Sequence, residues 1–200
     1  MSFIHSDNLP MLKAIGLRCR GIVFACLTFM SVLTSADRVF AATFSSEEMA
    51  SFPQAATDFS TAITTNDTAH LAQDIPPNVR KFLAENGNIT DDQLIAAVEQ
   101  SLRKTAETVT TDVFKLDVKQ AVAAIAGNGF PYLLVPTEFH MKKVSGGGLL
   151  VHAQTLAFVD GGKWYLMSLS DPQKNKLLKV AYPNFRNVDF PKDVAEVVKE

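Results

Sequence analysis

The hydrophobic period of this chain changes partway along, from about 3.6 residues before Thr108 to about 2 after it. A chain patterned this way lays down helices first and an antiparallel meander second. In the first half, Ser45-Ser46-Glu47-Glu48 supplies a helix N-cap with acidic residues in the first turn. Pro53 is expected to interrupt, and Ala55, Phe59, Ala62 and Ile63 then mark a helix to about Thr65, ended by Asn66-Asp67. Leu71, Ile75, Val79, Phe82 and Leu83 predict a second helical stretch, bent at Pro76-Pro77 and closed by Gly87. Thr90-Asp91-Asp92-Gln93 is a capping box, because a threonine hydroxyl and a glutamine three residues on can satisfy each other's free amides. It opens a third helix, about Asp91 to Thr108, that is expected to bury Leu94, Ile95, Val98 and Leu102.

After the switch, glycine and proline punctuate β-branched and aromatic runs. Val109 to Val118 predicts a strand, and Ala121 to Ala126 fits neither period clearly. Tyr132 to Val135 leads through Pro136 into a strand from Thr137 to Val144, and Ser145-Gly146-Gly147-Gly148 turns the chain into Leu149 to Val159. Asp160-Gly161-Gly162 turns it again into Lys163 to Leu169. Asp171 and Pro172 then cap a short helix ending near Tyr182-Pro183, with an irregular tail beyond. The fold class is α+β, with a curved sheet wrapped over helices.

Ahead of all this stands a leader. Lys13, Arg18 and Arg20 precede an apolar run from Gly21 to Ala36, followed by Val39-Phe40-Ala41, which is the order of a secretory signal peptide. The run is about 16 residues, short of the roughly 20 that span a bilayer, so residues 1–41 read as a cleavable signal and residues 42–200 as one α+β domain. Met11 offers an alternative start, and Phe24 argues against a lipid-modified Cys26. This placement implies a periplasmic or secreted protein of bacterial type. Both cysteines, Cys19 and Cys26, fall in the leader, leaving the domain no thiolate nucleophile, disulfide or cysteine metal site. The leader also carries four bases against two acids, so the overall charge of −2 becomes −4 for the domain. An acidic domain with no clustered basic face lacks the footprint of a nucleic-acid binder.

The helical first half, the long meander and the run Gly161-Gly162-Lys163-Trp164-Tyr165-Leu166 resemble the nuclear transport factor 2-like superfamily, a cystatin-like cone. Ile75-Pro76-Pro77-Asn78-Val79, Leu134-Val135-Pro136-Thr137 and Ser170-Asp171-Pro172-Gln173 are similar to an exported bacterial branch of it. The resemblance covers roughly residues 52–190 and rests on structural motifs. It implies a cone with an internal pocket and a homodimer through the outer sheet face.

The simplest register sets Val144 opposite Leu149 and Val159 opposite Lys163. One face then carries Thr137, Phe139, Met141, Leu150, His152, Gln154, Leu156, Phe158, Trp164, Leu166 and Ser168. Within that apolar surface His152, Gln154 and Ser168 form a polar island with Trp164 as a wall, the composition of a ligand pocket. The opposite face carries Glu138, His140, Lys142, Val151, Tyr165 and Met167, of which the last three are candidate dimer contacts and His140 a solvated rim residue.

No constellation in the sequence demands catalysis. His70 and Asp74 lie one helical turn apart but have no third partner for a metal. Ser145-Gly146-Gly147-Gly148 lacks the spacing of a phosphate loop, and no serine sits in a nucleophile elbow. Asp112, Asp117 and Tyr132 are the residue types of ketosteroid-isomerase chemistry, without a fixed direction. The expectation is a non-catalytic domain that binds a small hydrophobic ligand or another protein, with no cofactor. The competing expectation is a cone-pocket enzyme using His152 as acid or base, which fails if His152 lies on the outside of the sheet. A secreted factor acting on a neighbouring cell is a third reading, for which only the leader speaks.

Overall fold

The computed structural model describes residues 44–198, so the expected signal peptide, its cleavage point and both cysteines lie outside the described residues. Among the described residues four helices come first: α1 (Ser46–Thr64), α2 (Thr68–Gln73), α3 (Pro77–Gly87) and α4 (Asp91–Ala106). The strands β1 (Val109–Leu116), β2 (Val122–Ala126), β3 (Phe130–Lys143), β4 (Gly148–Asp160) and β5 (Lys163–Ser168) follow, then α5 (Pro172–Ala181) and β6 (Val194–Val198). All pairings are antiparallel, in the order β1-β3-β4-β5, with β2 also on β3 and β6 also on β4. The sheet is strongly curled into a half-barrel, an α+β arrangement.

The capping signals operate as the sequence predicts. Ser45 and Glu48 close a reciprocal box at α1, as do Thr90 and Gln93 at α4. Pro53, however, lies inside α1 and does not break it. A mid-helix proline costs about 3 kcal/mol, and burying Phe52 and Phe59 returns about 1.5–3 kcal/mol each, so packing wins. The chain leaves α3 through Asn88, which takes the left-handed conformation (φ 49°) expected of Gly87. Pro136 is carried inside an unbroken β3. Pairing with β2 ends at Leu134 and pairing with β1 begins at Thr137, so the missing proline N–H falls in the gap, while its carbonyl accepts the Asp117 N–H at 2.9 Å. The tail is not irregular throughout: β6 lies along residues 148–152 of β4.

The sheet has two covered faces. On one, Leu133, Val135, Phe139, Val151, Ala153, Ala157, Trp164 and Leu166 pack on Phe52, Ala56 and Phe59 of α1. On the other, Tyr132, Leu156, Phe158 and Tyr165 pack under Val79 of α3, Leu178 of α5 and Tyr182 and Phe185 beyond it. The Tyr182 hydroxyl donates to Asp160 at 2.7 Å and accepts from the Asn78 N–H at 3.4 Å, tying this cover to the β4–β5 hairpin and to α3.

The register differs from the simplest one at both hairpins. Gly161 and Gly162, with φ of 59° and 80°, make a two-residue turn that sets Asp160 opposite Lys163. Gly146 and Gly147, with φ of 99° and 86°, tighten the other turn, so Lys142 faces Gly148. Each offset from the expected pairing is an odd number of residues, and an odd slip exchanges the faces of neighbouring strands. Odd residues of β3 and β4 therefore share a face with even residues of β5.

Candidate functional site

A cavity of about 490 Å3 lies where the helices meet the sheet, within the range of sites that hold small organic ligands. The third predicted helix, α4, explains it. Its stripe is apolar as expected, but only Leu94 is buried, while Ile95, Val98 and Leu102 are half-buried. Instead of meeting a packed core, Val98, Leu102 and Ala106 face the cavity, opposite Leu71 of α2 and Leu83 of α3. Met141 of β3 and Leu166, Met167 and Ser168 of β5 form the sheet wall, and Leu177 and Lys174 of α5 add a further side. Most of the lining is aliphatic.

Two charged side chains reach it. Asp74, at the C-terminus of α2, is fully engaged: Lys163 Nζ lies 2.7 Å from one oxygen and His70 Nε2 2.9 Å from the other. Lys163 also stands over the Tyr165 ring at 5.2 Å. His70 and Asp74, one helical turn apart, are thus joined by Lys163 in a cluster that ties α2 to the start of β5. Lys174 has no carboxylate within ion-pair distance among the described residues.

The polar island expected from sequence is divided by the register. Ser168 does line the cavity, where its hydroxyl meets that of Ser170. Trp164 is a core residue: its indole N–H donates to the Glu48 carbonyl at 2.9 Å, and its ring packs on Phe44 and Phe52 at 5.0 and 4.8 Å. His152 and Gln154 are on the other face, in an open groove with Lys115, Lys119, Glu138 and Lys192. His152 is half exposed and 3.8 Å from Glu138. The expected convergence of His152, Gln154, Ser168 and Trp164 does not occur, because an odd slip separates even β4 positions from even β5 positions. The proposed dimer contacts move as well. Val151 is buried against the α1 side, Tyr165 is buried under α5, and Met167 borders the cavity, so the uncovered sheet surface is that around Glu138, Leu150 and His152.

A grouping not read from the sequence sits at the slip of β1 against β3 between Thr111 and Val113. There Asp112 lies 2.9 Å from His140 Nδ1 and 2.8 Å from Lys142 Nζ. The Lys142 hydrogen bond, reinforced by His140 against a smaller effect of burial, holds the Asp112 carboxyl below its ordinary range. His140 is half-buried, not solvated. Its Nε2 is enclosed without a hydrogen-bond partner, against Gly148, where any Cβ would stand 2.5 Å away. With Nε2 closed off, this dyad has no space for a substrate. Asp117 accepts from the N–H groups of Lys119 and Gln120, and Tyr132 packs edge-on against Phe185, so the isomerase-type residues are dispersed.

No family model, curated protein or solved structure matches this chain.

Proposed function

We propose that this domain is an exported, non-catalytic binding protein for a small hydrophobic molecule held beneath α4. The observation that carries the reading is the apolar stripe of α4, which faces a cavity of about 490 Å3 instead of a packed core. Leaving such side chains unpacked forgoes stabilisation of roughly 25 cal/mol per Å2 of apolar surface, which an apolar guest would supply. The half-barrel over helices is compatible with the nuclear transport factor 2-like cone, and that resemblance supports an internal pocket. Export rests on the leader, with its basic, apolar and small-residue segments in order. The enzyme reading loses its acid–base group, since His152 lies on the outside of the sheet.

Fluorescence of N-phenyl-1-naphthylamine, a neutral apolar dye that brightens on leaving water, tests the reading. Saturable uptake at one site per chain, weakened when Ala106→Leu narrows the cavity, is the expected result. Absence of saturable uptake by folded protein would overturn it.

A further inference from the structure

We infer that the ligand is a single-chain anionic amphiphile, an alkyl chain ending in a carboxylate or phosphate, with its head at Lys174 and Ser168. This inference rests on the cavity reading above. Of the two charges that border the cavity, Asp74 has both oxygens occupied, by Lys163 and by His70, and makes no electrostatic demand on a guest. Lys174 is different, for it borders the same cavity with no carboxylate in reach among the described residues. It stands in the first turn of the ten-residue α5, where the helix dipole adds positive potential. On the same lining, Ser168 at the end of β5 offers a hydroxyl, and Leu177, one turn further along α5, continues the aliphatic wall. The unbalanced charge of the site is therefore positive and lies next to an apolar chamber. An alkyl anion matches both features, an alkyl alcohol matches only the chamber, and an alkylammonium opposes the charge.

Competition against bound N-phenyl-1-naphthylamine separates these guests. Dodecanoate and dodecyl phosphate are compared with dodecanol and dodecylamine on the folded domain, and then on Lys174→Gln. A charge-assisted hydrogen bond is worth about tenfold in affinity, so dodecanoate or dodecyl phosphate should displace the dye roughly tenfold more tightly than dodecanol. Lys174→Gln should remove that advantage while leaving dodecanol and the dye unchanged. Whichever anion is preferred distinguishes carboxylate from phosphate as the head. Dye uptake with no preference for either anion over dodecanol, or an equal loss for all guests in Lys174→Gln, would overturn the inference and leave the cavity reading standing. Failure of the dye itself to bind would overturn both.

Discussion

Replacing Ala106 by leucine puts an isobutyl group where a methyl now borders the cavity, and its consequence depends on whether that space is open. In a close-packed interior the same enlargement forces strained rotamers and costs about 1–3 kcal/mol. Into an open apolar chamber it adds carbons worth about 0.8 kcal/mol each, or about 2 kcal/mol in full. Ala106 is half-buried at the end of α4, so part of the new side chain stays near water, and leucine is nearly as good a helix former as alanine. A gain of about 1–2 kcal/mol is expected, equivalent to a rise of about 2–8 °C in Tm for a domain of this size. Ala157→Leu is the contrast, since Ala157 is fully buried in the α1-side core, and it should lose about 1–3 kcal/mol. Urea denaturation followed by circular dichroism measures both. If Ala106→Leu destabilises as much as Ala157→Leu, the space under α4 is not open, and the reasoning from an unpacked stripe is refuted.

Trp164→Ala removes the side chain that joins α1 to β5 and should cost about 3–5 kcal/mol in the same assay, whereas a pocket wall would lose little stability. Burial raises the Asp193 carboxyl above its ordinary range, against smaller pulls from the Ser170 hydroxyl and the Gln154 backbone, neither of which makes a well-formed hydrogen bond to it. The folded state thus binds this proton more tightly than the unfolded chain, so the contribution is complete at low pH and is lost as pH rises through the folded value. Asp193→Asn should flatten that decline and make the domain more stable at about pH 7, as read from urea midpoints across pH. His152→Ala should change stability by less than about 0.5 kcal/mol and leave dye affinity unaltered, because the side chain is half exposed and remote from the cavity lining; a tenfold loss of affinity would restore His152 to the site.

The parts of the fold that were legible are those governed locally. The Thr90 box, the hairpin glycines and the Asp171 cap each involve a few adjacent residues, and each forms where the sequence places it, whereas Pro76-Pro77, expected to bend one helix, separates α2 from α3. The faces of the sheet were not legible. From Thr155 to Phe158 β4 is buried on both sides, so Thr155-Leu156-Ala157-Phe158 offers no alternation from which to choose a register. Only the number of residues in each glycine turn decides it, and an error of one residue there exchanged Gln154 for Thr155 as the neighbour of Ser168. The cavity was hidden for a related reason. Periodicity identifies Val98 and Leu102 as an inward stripe, but whether that stripe meets side chains or space depends on how α2, α3 and the sheet come together.

Methyl NMR of the folded domain titrated with dodecanol tests the binding claim most directly, because it reports where a guest goes. Shifts are predicted at Leu71, Leu83, Val98, Leu102, Met141 and Met167, which surround the cavity, with none at Leu150 or Val122 away from it. Saturable shifts confined to Leu150 and its neighbours on the uncovered sheet surface, or no saturable shift at any lining methyl, would contradict a ligand site beneath α4.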